Sequence, residues 1–207
     1  MSKQVKGVAE KIEACAKQEF LEKGYMDASL RTIAAEAGTT TGTIYSRYGG
    51  KEELFSAIVE PVAEEFIQMF ENVQKEFQES EAETQMERMD DYTLDSMMQM
   101  VEYMYDHLEA FQLLVSNAYG TKFQNFVEHL VEIETEYTYI FMETLGIKFK
   151  SGKPMTKEFM HIMNKAFFES FFEVIRHNIS KEEAMEYMQL LEKYHIASWN
   201  IVYEQCT

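Results

Sequence analysis

Hydroxyls and cations crowd one short stretch of a chain that is otherwise acidic. From Ser29 to Lys51 the sequence runs SLRTIAAEAGTTTGTIYSRYGGK, where Arg31, Arg47 and Lys51 stand against Glu36 alone. The stretch is therefore locally +2, while the whole chain carries −17. Side chains of these types suit contact with an anionic, hydrogen-bonding partner rather than the making and breaking of bonds. No catalytic triad, glycine-rich phosphate loop, Cys-x-x-Cys or His-Glu-x-x-His occurs, so no enzyme is expected. Glu158-x-x-His161 and Glu192-x-x-His195 match the Glu-x-x-His pairs of di-metal bundles. In an antiparallel hairpin turning near 179–180, however, the two glutamates fall roughly 13 Å apart at ~1.5 Å per residue. They cannot bridge one metal pair, and neither metal nor cofactor is expected.

Helices must position that stretch. Leu30, Ile33, Ala34 and Ala37 recur at i, i+3, i+4 and i+7, one face of a short helix. Ser29 stands at its N-cap, where the hydroxyl would accept a first-turn N–H. Thr32, three residues on, completes no capping box. Gly38 follows the last apolar position and suits the left-handed conformation that ends a helix. A second short helix starts among Thr39, Thr40 and Thr41. Gly49 and Gly50 stop it, and Lys51 opens a longer one. Two short helices across a tight glycine-containing turn make a helix-turn-helix, whose second helix fits the DNA major groove.

The run from Ile12 to Phe55 resembles the DNA-binding domain of the TetR (tetracycline-repressor) family. The matching positions are Phe20, Gly24, Tyr25, Ser29, Ile33, Ala34, Ala37 and Gly38, then Gly42, Thr43, Ile44, Tyr45, Tyr48, Lys51, Glu52, Leu54 and Phe55. The resemblance implies an all-α fold of about nine helices. Residues 1–50 would form a three-helix DNA-binding domain, and residues 51–207 a helical ligand-binding and dimerisation domain. It also implies that Thr40, Thr41, Thr43 and Tyr45 lie on the groove-facing side of the second short helix. Thr41 and Thr43 would read a thymine methyl or a base edge. Tyr45, Ser46, Arg47 and Lys51 would hold phosphates, Lys51 aided by the amide-rich start of its own helix, with Arg31 a further backbone candidate. Thr40 is open between cap and base contact, Ile44 and Tyr48 are expected in the core, and Gly42 is expected to allow close helix packing. Two positions depart from the family pattern: Thr41 stands where Lys, Arg or Pro is frequent, and Gly50 where a Ser, Thr or Asn cap is.

Charge is distributed unevenly. Residues 1–60 hold eight Lys/Arg against nine acids, so the remaining residues carry −16. An acidic body repels phosphate and keeps non-specific DNA binding weak and salt-sensitive. Two prolines and nine glycines in 207 residues favour long helices. No apolar run approaches the ~18 residues of a membrane span. The polar start MSKQVKG leads into no apolar segment, which points to a cytoplasmic protein with no signal peptide. Cys15 and Cys206 read as free thiols.

Along the chain, a first helix is expected over 3–23, ended by Gly24, with Lys3 and Lys6 within reach of a DNA backbone or simply solvated. A long helix from Lys51 to Phe77 carries Leu54, Phe55, Ile58, Val62, Phe66, Phe70, Val73 and Phe77 on one stripe, and Pro61 should kink it. The polar residues 78–90 read as loop or frayed helix end. Further helices are expected near 91–107, 109–118 and 121–145, then a loop at GIKFKSGKP. The last two helices, over about 156–203, are joined at a capping-box pattern, Ser180 to Glu183. The first of the pair is apolar nearly all round, so it is buried on more than one side. By resemblance this hairpin makes a homodimer, which a two-fold-symmetric operator with half-sites ~34–36 Å apart requires.

The Met-, Phe- and Tyr-rich body is ordinary core or an adaptable ligand pocket. Candidate pocket residues are Tyr103, His107, Phe111, Tyr137, Phe141, Phe168 and Phe172, with Glu134, Glu169 or His107 as polar anchor. The expected function is a homodimeric transcriptional regulator of double-stranded DNA, a repressor that a small-molecule effector releases from a palindromic operator. The alternative is an acidic helical ligand-binding or interaction protein whose DNA-binding head has degenerated.

Overall fold

The computed structural model describes residues 2–79 and 82–206, with side chains described at 7–79 and 94–206. Among these residues nine α-helices follow one another: α1 (Ser2–Asp27), α2 (Leu30–Glu36), α3 (Thr41–Tyr48), α4 (Lys51–Glu79), α5 (Ala82–Asp106), α6 (Leu108–Gln112), α7 (Phe126–Leu145), α8 (Lys157–Arg176) and α9 (Lys181–Tyr203). A π-helical segment, Leu113–Asn117, continues α6. No strand forms among the described residues, only isolated bridges at Lys148–Pro154 and Phe149–Cys206. No described helix is long and apolar enough to cross a membrane.

The chain divides into two compact units, Met1–Glu65 with His107–Phe126, and Phe66–Asp106 with Val127–Thr207. In the first, the i, i+4, i+8 stripe Ile12, Ala16 and Phe20 of α1 is fully buried, with Ile33 of α2, Ile44 of α3, and Leu54 and Phe55 of α4. Phe55 packs edge-on against two rings, Phe20 at 5.1 Å and Tyr25 at 5.4 Å between centroids. Edge-to-face pairs of this kind add to the area they bury. α1 breaks at Gly24, whose φ of 72° and ψ of 163° only glycine adopts without strain. Asn117 Nδ2 from the π-helical segment donates to the Phe20 and Leu21 carbonyls, at 3.1 and 3.3 Å, just before that break.

In the second unit α9 packs along α5 and against α8. Phe66 and Phe70 of α4, Met100, Val101 and Met104 of α5, Leu130 and Val131 of α7, and Phe168, Phe171 and Phe172 of α8 form its core. Thr156 caps α8 by accepting from Phe159 N–H at 3.3 Å, and Ser180 caps α9 by accepting from Glu183 N–H at 3.3 Å. Tyr105 donates to the Ile179 carbonyl at 2.7 Å and ties α5 to the α8–α9 turn. The C-terminal residues Val202, Tyr203 and Cys206 pack on a cluster of Met142, Met155, Met160 and Trp199.

Several sequence expectations are corrected here. Of residues 78–90, read as loop or frayed helix end, 78–79 end α4 and 82–90 form the first turns of α5. Glu, Gln, Met, Arg and Ala are good helix formers and need no apolar stripe to continue a helix. α7 begins at Phe126 rather than Thr121, because the Thr121 hydroxyl donates to the Ala118 carbonyl at 2.7 Å and accepts from Phe123 N–H at 3.1 Å, holding a turn. The expectation for Lys3 and Lys6 falls on side chains outside those described.

Truncating Phe55 to Ala removes the ring against which Phe20 and Tyr25 pack, and urea unfolding should show a loss of about 3–5 kcal/mol. Tyr119→Ala, at a side chain 76% exposed, should stay within about 0.5 kcal/mol of the parent protein.

Candidate functional site

The helix-turn-helix is built from local backbone rules. At the end of α2, Gly38 takes φ 65°, Ala37 N–H donates to the Ile33 carbonyl at 3.0 Å, and Thr39 N–H to the Ala34 carbonyl at 2.9 Å. These bonds satisfy carbonyls that a helix end otherwise leaves open. α3 then starts on a threonine cap. Thr40 Oγ1 accepts from Thr43 N–H at 3.2 Å, and the two threonine hydroxyls lie 3.1 Å apart. Thr40 is thus the cap of α3, and both hydroxyls are engaged with each other.

The outer face of α3 is open. Tyr45 is 57% exposed, Ser46 and Arg47 are exposed, and Thr41 and Thr43 are half-exposed. Thr40, Gly42, Thr43, Ser46 and Arg47 line a shallow surface depression. Gly42 does not serve helix packing, since a Cβ there would meet only Thr40 Oγ1, at 3.6 Å. It leaves room on the outer face instead. The inner face is closed: Ile44 is fully buried, and the Tyr48 hydroxyl donates to Glu13 Oε1 at 2.8 Å. Burial and that carboxylate push the Tyr48 phenol up to about 12. The Arg47 guanidinium lies 6.0 Å from the Tyr48 ring. Arg31 is exposed in the first turn of α2.

Two residues act differently from their sequence reading. Ser29 makes no side-chain cap on α2; its backbone N–H donates instead to Glu19 Oε1 of α1 at 3.0 Å. Glu19 is only 3% exposed and also accepts from Lys23 Nζ at 2.9 Å. Burial alone would raise its pKa, but the bonds from Lys23 and Ser29 outweigh that and hold the carboxyl below its ordinary range. Lys51 is turned into the protein rather than toward a phosphate. Its ammonium donates to the Met26 and Ala28 carbonyls at 2.9 and 3.0 Å and sits 4.6 Å from the Tyr25 ring centroid. Burial holds its pKa below the ordinary lysine value. Glu52 and Glu53 occupy the first turn of α4 beside it, which disfavours an anion there.

The second unit holds a cavity of about 170 Å³ walled by α4, α5, α7, α8 and α9. Of the residues named for a ligand site, Glu134, Tyr137, Phe141 and Phe168 line it. The others do not. Phe172 is fully buried against Phe66 and Phe171, and Tyr103 lies half-buried near Phe66. Glu169 pairs with Arg176 at 2.8 Å, while His107 and Phe111 belong to the first unit. Sequence reasoning missed Phe70, Val73, Gln74 and Phe77 of α4, Met97 and Met100 of α5, and His195, Ile196, Trp199 and Tyr203 of α9. A signal for α9 existed. Ala184, Met188, Glu192 and Trp199 are buried on one stripe, and Tyr187, Leu190, Tyr194 and Ile201 are exposed on another. Read as one apolar set, the two stripes conceal that the helix has an inner face.

Glu134 is half-buried and lines the cavity. Gln74 Nε2 donates to its Oε2 at 2.7 Å and Thr138 Oγ1 to its Oε1 at 3.3 Å. Burial raises its pKa to about 7 against the pull of those two bonds. His195 stacks on Phe167 at 4.2 Å, and burial lowers it to about 4, so it is neutral at physiological pH.

Residues 12–58 match the family model of the bacterial regulatory proteins of the tetR family. A search of curated proteins finds no match. Among solved structures, the TetR-family transcriptional regulator PfmR from Thermus thermophilus is similar at TM-score 0.61 and 16% identity, over 90% of this chain and 93% of that one. A transcriptional regulator from Aquifex aeolicus is similar at TM-score 0.60 and 16% identity, over 90% and 98%. NalD, the secondary repressor of the MexAB-OprM multidrug efflux pump in Pseudomonas aeruginosa, is similar at TM-score 0.57 and 19% identity, over 93% and 97%. The chain as a whole therefore has the fold of TetR-family transcriptional regulators.

Replacing Glu19 with Ala strands the Ser29 N–H and should cost about 1–3 kcal/mol at pH 7 by chemical denaturation. Because the folded carboxyl is depressed, its stabilisation is complete above the ordinary glutamate range and is lost as pH falls through the folded value. The gap between parent and variant should therefore close on acidification, and a gap that widens would contradict the arrangement.

Proposed function

We propose that this protein is a homodimeric, ligand-responsive transcriptional regulator of the cytoplasm, a repressor released from a palindromic operator by a small-molecule effector. The observation that carries the reading is the outer face of α3. It is a capped helix with its apolar side buried and its threonines, Tyr45, Ser46 and Arg47 turned outward. A helix so exposed fits the major groove. Thr41 and Thr43 read base edges and thymine methyls, while Tyr45, Ser46, Arg47 and Arg31 hold phosphates. Thr40 acts through the cap, and Lys51 positions α1 against α4. Residues 1–50 form the DNA-binding domain and 51–207 the ligand-binding and dimerisation domain.

Two copies pair through the last two helices, about 156–203. Support comes from the exposed stripe of α9, where Leu190 is 65%, Tyr194 72% and Ile201 64% exposed, and from Ile162 of α8 at 63%. Contiguous exposed apolar side chains of this kind mark an interaction surface, and a two-fold operator needs a two-fold protein. The effector enters the cavity beside Glu134. α4 supplies Phe70, Val73, Gln74 and Phe77 to the cavity and Leu54 and Phe55 to the head core, so a shift of this helix on effector binding changes the separation of the two heads. A coupling of about 1–3 kcal/mol would weaken operator affinity about 5- to 150-fold.

On genomic fragments the protein should select a preferred site with a steep salt dependence. Arg47→Ala should lower affinity for all sequences and reduce the salt slope by about 1. Unchanged, salt-independent binding would favour the alternative of an acidic interaction protein with a degenerate head. For the dimer, Leu190→Asp with Tyr194→Asp should give a monomer by light scattering and abolish operator binding, and a variant that remains dimeric would relocate the interface.

A further inference from the structure

We propose that the cavity of the second unit takes a small organic monocation bearing an aromatic ring, with Glu134 as its counter-charge. This rests on the effector-site reading of the cavity and supplies the ligand's chemical class. At about 170 Å³ the space compares with an engineered cavity of ~150 Å³ that holds one benzene ring. Its wall is largely aromatic, with Phe77 and Phe141 5.7 Å apart and Tyr137 and Phe167 nearby in the lining. Among the described residues Glu134 is the one carboxylate in that lining, and no lysine or arginine of the described residues stands there.

The partners of Glu134 orient its charge without neutralising it. Gln74 and Thr138 both donate as neutral groups, and Thr138 Oγ1 lies 3.4 Å from the neutral amide of Asn164. From α9, His195 is neutral and Tyr203 has its phenol pushed up to about 12 by burial. From α4 and α5, Gln78, Ser96 and Met97 bring no charge. A carboxylate enclosed in an apolar site is costly unless a cation pairs with it, and Glu134 lacks such a cation among these neighbours. A ligand cation supplies the missing charge, and the same ligand gains from the faces of the surrounding rings. A neutral ligand would gain only the apolar contacts, and an anion would be repelled.

The test uses the full chain and two probes of one shape: benzyltrimethylammonium, charged at every pH, and neopentylbenzene, its uncharged carbon isostere. By calorimetry or ligand-observed NMR at pH 8, the cation should bind at least about ten-fold more tightly than the isostere, the size of a modest cation–π and charge preference. In Glu134→Gln that margin should vanish. In the parent protein the cation's affinity should fall on the order of ten-fold between pH 8 and pH 6, as Glu134 takes up a proton. Equal binding of the two probes, a margin that survives in Glu134→Gln, or no binding of either overturns the proposal. The isostere and pH comparisons use the parent protein, so they stand even if the variant fails to fold. Operator affinity measured alongside keeps the two readings apart: a cation that binds without loosening DNA supports this ligand class and removes the effector coupling.

Discussion

Everything that presents α3 to solvent depends on how the end of α1 is tied down. A helix that stops inside a packed unit leaves backbone carbonyls and amides that must find partners. Here α1 breaks at Gly24, and three side chains, Glu19 of α1 itself with Lys51 and Asn117 from farther along the chain, close the junction. Asn117 takes the Phe20 and Leu21 carbonyls, Lys51 takes those of Met26 and Ala28, and Glu19 takes the Ser29 amide that opens α2. Each bond alone is worth little net, but a buried group left unmet costs its full desolvation. The junction therefore holds α2 and α3 in one orientation over the Phe20–Phe55 ring pair. Without it, the two short helices lack the length to hold themselves.

The same logic explains why two glutamates of one chain are shifted in opposite directions. Glu19 and Glu134 both lose solvent, which by itself raises a carboxyl pKa. Glu19 has a lysine and a backbone amide on its oxygens and ends below its ordinary range. Glu134 has an amide side chain and a hydroxyl and ends near 7. A permanent cation makes the first a structural brace. Among the described residues the second has only neutral donors on its oxygens, and perturbed carboxyls of this kind cluster at functional sites.

Much of the head was legible because its rules are local. The i, i+3, i+4, i+7 stripe of α2 and the left-handed Gly38, like the Ser180 cap of α9 in the second unit, each depend on residues within a turn or two, and each lies where the pattern put it. Errors arose where a local rule met a competitor from farther away. Ser29 has the right type for a cap, but the Glu19 carboxylate, stronger as an acceptor, reaches its amide from ten residues back. Lys51 has the right charge and place for a phosphate, but two carbonyls and the Tyr25 ring lie closer.

The sequence by itself determined that the chain is helical, that a helix-turn-helix lies near its start and that the stretch holding it has Glu36 as its one acid, because periodicity, capping and charge are properties of neighbouring residues. The tertiary structure alone decided which side of α9 is inner, that Gln74 and Thr138 meet Glu134 and that Asn117 closes the end of α1. Those facts depend on which helices pack together. Residues such as Gln74 and Glu134, or Phe20 and Asn117, meet across long spans of chain, and nothing in the residues between them records the meeting.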